Sequence, residues 1–534
     1  MNKRIKKIII YSLLIIIFFL GIWTERFGVD KKILNKFNNL IDSSSQLILS
    51  FKNNEKIYIE IKPKYYNEII NNRKKSLEKG RASENIQKWL PAKLKYKDVT
   101  YNIQISLKGT HSDHWIDKKK WSYKIKVNDD EKSILGLRRF AVQAPYTISY
   151  VYEWLFMKAL EKEKLFNLKI MSIETQVNEK NLGAYILEEK ISYKLIERNN
   201  RKPGPIIGFS KTLWVEEANN IKDLGINGID ESFWRAKIEP TQFDRNLIET
   251  EQEELLKKAI YQLESFRKKE LTTSEVFDTS QLAKVMAIRA IMGSSQFDWK
   301  DTKFYFNPDT FLLEPISKEI HVDLNYEDKI NFWWADSSYV KDHLASDTDF
   351  FLDLLYSDLK FYKEYLQELN KFSRLEKLYF DTLINENRKE FIEHKKIIKQ
   401  SYPTKKIFSF EYLQEKSRII QKTLNPVQGL NSYFDSYKTN ILTLNISNIQ
   451  RLPIVIAGIK LSDGTNIYLQ EKIIIYGKKT HKPAVNNLIN INCTLKKYCS
   501  KKQINKQQII YKILGQENFK LANISEHYFV SNKK

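Results

Sequence analysis

From Lys56 to Val127 apolar and polar residues alternate with a period of two, interrupted by one helical stretch. Lys56 to Lys62 alternates as a strand, and Tyr65 to Lys79 reads as a basic helix stopped by Gly80. Alternation resumes at Leu94 to Tyr96, Tyr101 to Lys108 and Trp121 to Val127. The pattern also assigns faces. Ile103, Ile105 and Leu107 share one side of a strand, with Gln104, Ser106 and Lys108 on the other; Tyr123, Ile125 and Val127 oppose Ser122, Lys124 and Lys126. If the two strands pair, Lys108, Lys124 and Lys126 form a cationic face, which is equally a wet face of a sheet or a phosphate site. Gly109 to His114 is expected to be a flexible hairpin tip between them.

A short strand, Arg138 to Gln143, lies between Gly136 and Pro145. Thr147 to Lys162 carries Val151, Trp154, Leu155 and Ala159 at helical spacing, with Glu153 one step off that stripe. Met171 to Val177 and Ala184 to Glu189 read as strands around the polar turn Asn178 to Gly183, and Lys190 to Asn200 as a helix. Residues 201–245 form an irregular insertion. Helices follow at Glu251 to Lys268 and Gln281 to Met292, then largely helical sequence from Asp349 to Gln421, broken at Tyr402-Pro403. Strands return at Leu442 to Ile446, Leu452 to Lys460, Asn466 to Leu469 and Lys472 to Tyr476, with Asp463-Gly464 as a turn.

The extreme N-terminus breaks this picture. Lys3 to Lys7 is a basic cluster, and Ile8 to Trp23 is an uncharged apolar run without a cleavage pattern behind it. It reads as an uncleaved membrane anchor over 1–28, followed by a stalk over 29–55. By the positive-inside rule the N-terminus is cytoplasmic and the body extracytoplasmic, a single-pass topology. The chain of 534 residues carries 88 Lys and Arg against 65 Asp and Glu, a net charge of +23. That excess favours an anionic partner, but the lysines are spread along the chain and no zinc-finger spacing or RNA-binding signature occurs, so nucleic acid is not expected. The two cysteines, Cys493 and Cys499, allow one local disulfide or two free thiols.

Chemistry concentrates in Ser294 to Glu319, SSQFDWKDTKFYFNPDTFLLEPISKE. Phe304 to Phe306, the turn Asn307-Pro308-Asp309 and Phe311 to Ile316 make a hairpin. Such a hairpin can bring Asp298, Asp301 and Glu319 to one end, where carboxylates repel unless a cation lies among them. Solvated loop acids are the plainer alternative.

Four stretches together resemble the spore coat protein H (CotH) kinase-like family. They are LKGTHSDHWIDKKKWSYKIK (Leu107 to Lys126), LRRFAVQAP with YEWLF (Leu137 to Phe156), NEKNLGAYILEEK (Asn178 to Lys190) and FDWKDTKFYFNPDTFLLEPISKE (Phe297 to Glu319). The resemblance spans roughly residues 56–345 and implies an α+β, two-lobed, atypical protein-kinase-like domain behind an N-terminal transmembrane helix. The β-rich small lobe would cover 56–190 with a hinge at Leu187 to Lys190. The mainly helical large lobe would cover 191–430, and a C-terminal all-β module 431–534.

The implied activity is phosphate transfer from ATP, with Mg2+ or Mn2+, to a protein Ser or Thr hydroxyl. Asp298 would be the catalytic aspartate. Asp301 stands where the family commonly has Asn, and Glu319 where it has a metal-binding Asp, with Asp323 as a rival; both would bind metal. Lys108 and Lys124 would face the triphosphate, with Lys126 joining them as a cofactor-binding candidate from strand alternation; Glu153 would pair with one of these lysines, and Glu188 and Glu189 would meet the ribose or base. Ile148 replaces an Arg of the family. The alternative is a catalytically lapsed scaffold or binding protein of the cell envelope, its partner a protein or an envelope polymer.

Overall fold

The computed structural model describes residues 55–80, 88–128, 132–217, 232–241, 251–294, 297, 299–322, 347–376, 378–478, 483–494 and 496–526. The alternating N-terminal half supplies seven strands: β1 (Lys56–Glu60), β2 (Leu90–Tyr96), β3 (Val99–Leu107), β4 (Tyr123–Val127), β5 (Arg139–Gln143), β6 (Ile170–Val177) and β7 (Lys180–Glu189). They close into a barrel in the order β1-β2-β3-β4-β5-β7-β6. Closure comes from β1, which pairs antiparallel with β2 (Ile57 opposite Tyr96) and parallel with β6 (Ile57 opposite Thr175).

The side chains that alternation turned to one face fill the barrel. Ile57, Ile59, Ile103, Ile105, Tyr123, Ile125, Phe140, Tyr185 and Leu187 are all buried in one cluster. Helix α1 (Pro63–Lys79) adds Ile69 to it, starts with proline in its first turn and ends on Gly80 at φ 76°, a left-handed cap that suits glycine.

A second body begins with α2 (Tyr152–Lys162) and α3 (Tyr193–Arg198). It includes a four-stranded sheet, β11-β10-β8-β9, built from β8 (Ile206–Phe209), β9 (Ile238–Pro240), β10 (Lys303–Phe306) and β11 (Leu313–Ile316). Around it stand α4 (Glu251–Arg267), α5 (Thr279–Ile291), α6 (Asp347–Ser357), α7 (Leu359–Phe372), α8 (Tyr379–Glu386), α9 (Arg388–Ser401) and α10 (Phe410–Leu424). The last strands, β12 (Leu430–Lys438), β13 (Ile441–Asn448), β14 (Ile454–Lys460), β15 (Asn466–Ile475), β16 (Asn486–Asn492), β17 (Gln508–Ile513) and β18 (Lys520–Ser525), form one sheet in the order β15-β14-β17-β18-β12-β13-β16. Its apolar side chains continue those of the helical body in a single buried cluster. Gly515 marks the approach: a Cβ there would lie 2.8 Å from the Lys363 carbonyl of α7. Cys493 and Cys499 are disulfide-bonded and fully buried.

These observations correct the expected fold class, an α+β two-lobed kinase-like domain behind a transmembrane helix. The β-rich part is a closed barrel, because β1 uses both of its backbone edges; periodicity identifies strands but not which edges meet. The region expected to be irregular, 201–245, contributes β8 and β9, so the body expected to be mainly helical contains a sheet. No helix among the described residues is long and apolar enough to cross a membrane. The anchor expected over 1–28, and all of the stalk except Glu55, lie outside the described residues.

Candidate functional site

The most concentrated chemistry lies where the outer face of the barrel meets one end of the four-stranded sheet. Lys108 follows β3, and its N–H donates to the Ser122 carbonyl (2.8 Å), which prolongs the ladder by one residue. This keeps Lys108 on the outward face with Ser106, as alternation requires. Gln143 ends β5, and Glu188 on β7 lies opposite Ala141. From the sheet, β8 leads to Lys211, the chain entering β10 carries Asp301, and β11 runs into Lys318 and Glu319.

These groups interlock. Lys108 Nζ donates to Gln143 Oε1 (2.6 Å) and to Glu319 Oε1 (2.8 Å), and lies 3.4 Å from Glu188 Oε2. Gln143 Nε2 donates to Glu188 Oε2 (2.5 Å). Lys318 lies 3.3 Å from Glu319, Lys190 3.5 Å from Glu188, and Lys211 3.0 Å from Asp301. Burial pushes the carboxyls of Glu188 and Glu319 up, but neighbouring lysines, Lys108 foremost, outweigh it and hold both below the ordinary value. Asp301 shows the same contest between burial and Lys211, and falls to about 2. Burial drives Lys190 down to about 7, against Glu188. Lys108, Lys190, Lys211 and Lys318 therefore face three ionised carboxylates, Glu188, Asp301 and Glu319.

The segment bearing Glu319 is held by its backbone. Glu319 has φ +55°, a left-handed conformation uncommon for a side-chain-bearing residue. Glu153, near the start of α2, accepts the N–H groups of Glu319 (2.9 Å) and Ile320 (2.6 Å), and Ser149 Oγ accepts that of Val322 (2.8 Å). Arg289 of α5 donates to Ser317 Oγ (2.8 Å), to the Lys318 carbonyl (3.3 Å) and to Ser294 Oγ (3.1 Å). Glu153 was expected to pair with a lysine; the structure gives it backbone amides and makes it the clamp on the Glu319 strap.

Burial raises the Glu153 carboxyl to about 8, opposed by the Ile320 amide and reinforced by Glu188 and Glu319. An acid whose folded value lies above its unfolded value stabilises the fold below the unfolded value, and that contribution is lost as pH rises toward the folded one. Between pH 4.5 and 8 Glu153 should therefore contribute a falling stability. Glu153→Gln should remove this slope and, with one acceptor lost, cost about 1–3 kcal/mol in urea unfolding near pH 5.

Other expected residues fall elsewhere. Glu189 is one residue past Glu188 and points to the opposite side of β7, where it accepts Lys169 N–H (2.8 Å) and Arg198 Nη2 (2.7 Å). Lys124 and Lys126 are on the outward face of β4; the Lys124 ammonium lies 5.8 Å over Trp89, and Lys126 is opposite Gln104 and Arg139. Asp298 and Asp323 lie outside the described residues. Ile148 is buried in the core of the body.

Gly109 to His114, expected as a flexible tip, holds a 3-10 turn, Ser112–His114. The His114 ring packs on Gly109, and burial, then Lys108, holds it well below its ordinary value. Among the described residues no three His, Cys, Asp or Glu side chains converge as a metal set. Asp301 and Glu319 supply oxygen, but lysines already engage both.

A cavity of about 390 Å³ opens elsewhere, lined by Trp154, Lys158, Ser172 and His394 among others. Ser172 Oγ lies 2.7 Å from His394 Nδ1. Burial, then Lys158, pushes His394 down to about 3, so it cannot hold a proton taken from Ser172 near neutrality. The pair ties β6 to α9, and this cavity is not where the chemistry lies.

Sequence periodicity found Lys108 but missed Gln143, Lys190, Lys211, Arg289 and Lys318. Lys318 and Lys211 flank strand ends, and only the pairing of β10 with both β8 and β11 brings them together. For Glu189 a signal existed: Tyr185, Leu187 and Glu189 share one phase of β7, which turns Glu189 away from Glu188. No family model matches this chain, and no curated protein matches it significantly.

Proposed function

We infer that the chain is a phosphotransferase of the kind its resemblance to the CotH family implies, moving a phosphoryl group from ATP to a hydroxyl of a protein. The supporting observation is Lys108, a buried cation shared between Glu319 at 2.8 Å and Glu188 at 3.4 Å, with Lys318 beside it on Glu319. Phosphoryl transfer depends on positioning and charge neutralisation, and lysines that can exchange a carboxylate for phosphate oxygens are what a polyphosphate needs. In this reading Lys108 and Lys318 turn from Glu319 to the phosphate oxygens. The acceptor oxygen bonds to the γ-phosphorus, the bond to the bridging oxygen breaks, and Asp298 takes the hydroxyl proton. ADP leaves. Mg2+ or Mn2+ belongs to the reaction as the resemblance implies it, but the described residues do not form a metal site alone.

The non-catalytic reading has its own support. Glu319, Asp301 and Glu188 each have a lysine within salt-bridge distance, which neutralises the seam without a ligand. Purified chain with ATP and Mg2+ or Mn2+ separates the two. The phosphotransferase reading expects autophosphorylation or ATP hydrolysis, abolished by Asp298→Ala, and a nucleotide-dependent rise in melting temperature. No melting shift with either ion would leave the scaffold reading.

A further inference from the structure

The cavity of about 390 Å³ lies where α2, the chain entering β6 and α9 meet, and much of its wall is apolar. Trp154, Met157, Leu168 and Ile397 line it, and all four are buried. The Trp154 ring stands 5.1 Å from the His394 ring, tilted by 37°. A cavity of roughly 150 Å³ holds benzene, so this one has room for a fused two-ring system.

One polar group in the wall has a fixed direction. The Ser172 backbone N–H donates to His394 Nδ1 (3.1 Å). A backbone N–H can only donate, so Nδ1 carries no proton and the neutral ring holds its hydrogen on Nε2. Nε2 has no hydrogen-bond partner among the described residues, yet it is not sealed from solvent. His394 is 8% exposed and lines the cavity, so this donor opens into it.

The rim adds no net charge. Basic and acidic side chains line the cavity in equal numbers. Lys158 sits between Glu161 (3.1 Å) and Glu390 (3.0 Å), and Arg198 Nη2 donates to Glu189 (2.7 Å). An ionic ligand would have to break such pairs, whereas an uncharged one leaves them intact. A single donor in a ring-lined apolar space therefore selects one acceptor on a flat apolar body.

We propose that this cavity is a regulatory site for an uncharged two-ring aromatic carbonyl compound, its carbonyl oxygen on His394 Nε2 and its rings against Trp154. The effect is carried by α2. Trp154 and Met157 share that helix with Glu153, whose carboxyl accepts the Glu319 and Ile320 amides. An occupant braces α2 and so steadies the clamp on the Glu319 strap.

The test uses the full chain without nucleotide, so its outcome is independent of phosphotransfer. Acetylnaphthalene, ethylnaphthalene and naphthoate, all substituted at the same ring position, are titrated by calorimetry. The ketone should bind about three- to tenfold more tightly than the hydrocarbon, the worth of one hydrogen bond, and more tightly than the carboxylate. His394→Phe should erase the difference between ketone and hydrocarbon. Ile397→Trp, which fills the cavity and leaves His394 in place, should abolish binding of both with an unchanged unfolding midpoint. Hydrogen exchange over residues 317–322 should slow when the ketone saturates the site. Equal binding of ketone and hydrocarbon to the parent chain overturns the proposal, as does binding that survives Ile397→Trp, or exchange over 317–322 that ignores the ligand.

Discussion

Lys108→Met should destabilise the fold by about 3–5 kcal/mol and abolish any ATP-dependent rise in melting temperature, as read by urea unfolding and thermal melts with and without nucleotide. The size follows from position. Lys108 is the cation shared by Glu188 and Glu319, and it and Glu188 are almost fully buried. Removing one partner of such a pair leaves carboxylates desolvated and uncompensated, which costs more than the pair contributes. Adding Glu319→Gln to Lys108→Met should recover part of the stability, because one of the stranded charges is gone, yet should not recover nucleotide binding. A single variant as stable as the parent would mean that Lys318 and Lys190 already neutralise the seam.

Gly109→Ala should cost about 2–4 kcal/mol in the same unfolding measurement, the sum of a left-handed backbone and an overpacked contact. Gly109 has φ +96°, and a Cβ built on it would sit 1.9 Å from His114 Cδ2. His114 is buried behind it, so the ring cannot swing into solvent without disturbing the turn next to Lys108. In a His114→Ala background the same Gly109→Ala change should cost less, because the ring atoms at 1.9 and 2.3 Å are gone, while the Cβ of residue 114 at 2.7 Å and the dihedral remain. Equal costs in the two backgrounds would assign the effect to the backbone and that Cβ contact rather than to the ring.

Both variants act on a stretch, LKGTH, that was partly legible before any coordinates. Alternation alone put Lys108 on the face away from Ile105 and Leu107, and strand pairing bears that out with Ile105 opposite Ile125 and Ser106 opposite Lys124. The hairpin that opens at Lys303 was also readable, since a turn-forming Asn-Pro-Asp separates two β-prone runs. Closure of the barrel was not readable. Nothing near Ile57 says that its second edge will meet Thr175, because that pairing is decided by the curvature of the whole sheet. The site behaves in the same way. Lys211, Arg289 and Gln143 have no local signature, and they become partners only when β8, α5 and β5 have been placed. Glu153 shows a further limit: its element and its burial could be inferred, but its partners are backbone amides on a distant strap, which no residue-type pattern encodes.

The parallel seam between β1 and β6 also sets an order in time. Ile57 waits for Thr175, roughly a hundred and twenty residues later in the chain, before its second edge is satisfied. At ~5–20 residues per second of synthesis, β1 leaves the ribosome many seconds before its parallel partner exists, with β2 alone to hold it. Loop-closure entropy weighs against that distant pairing until β6 and β7 have formed their own hairpin. The first described strand thus keeps one edge open until β6 has been made, a stage in which another extended chain, rather than β6, can occupy the vacant side of β1.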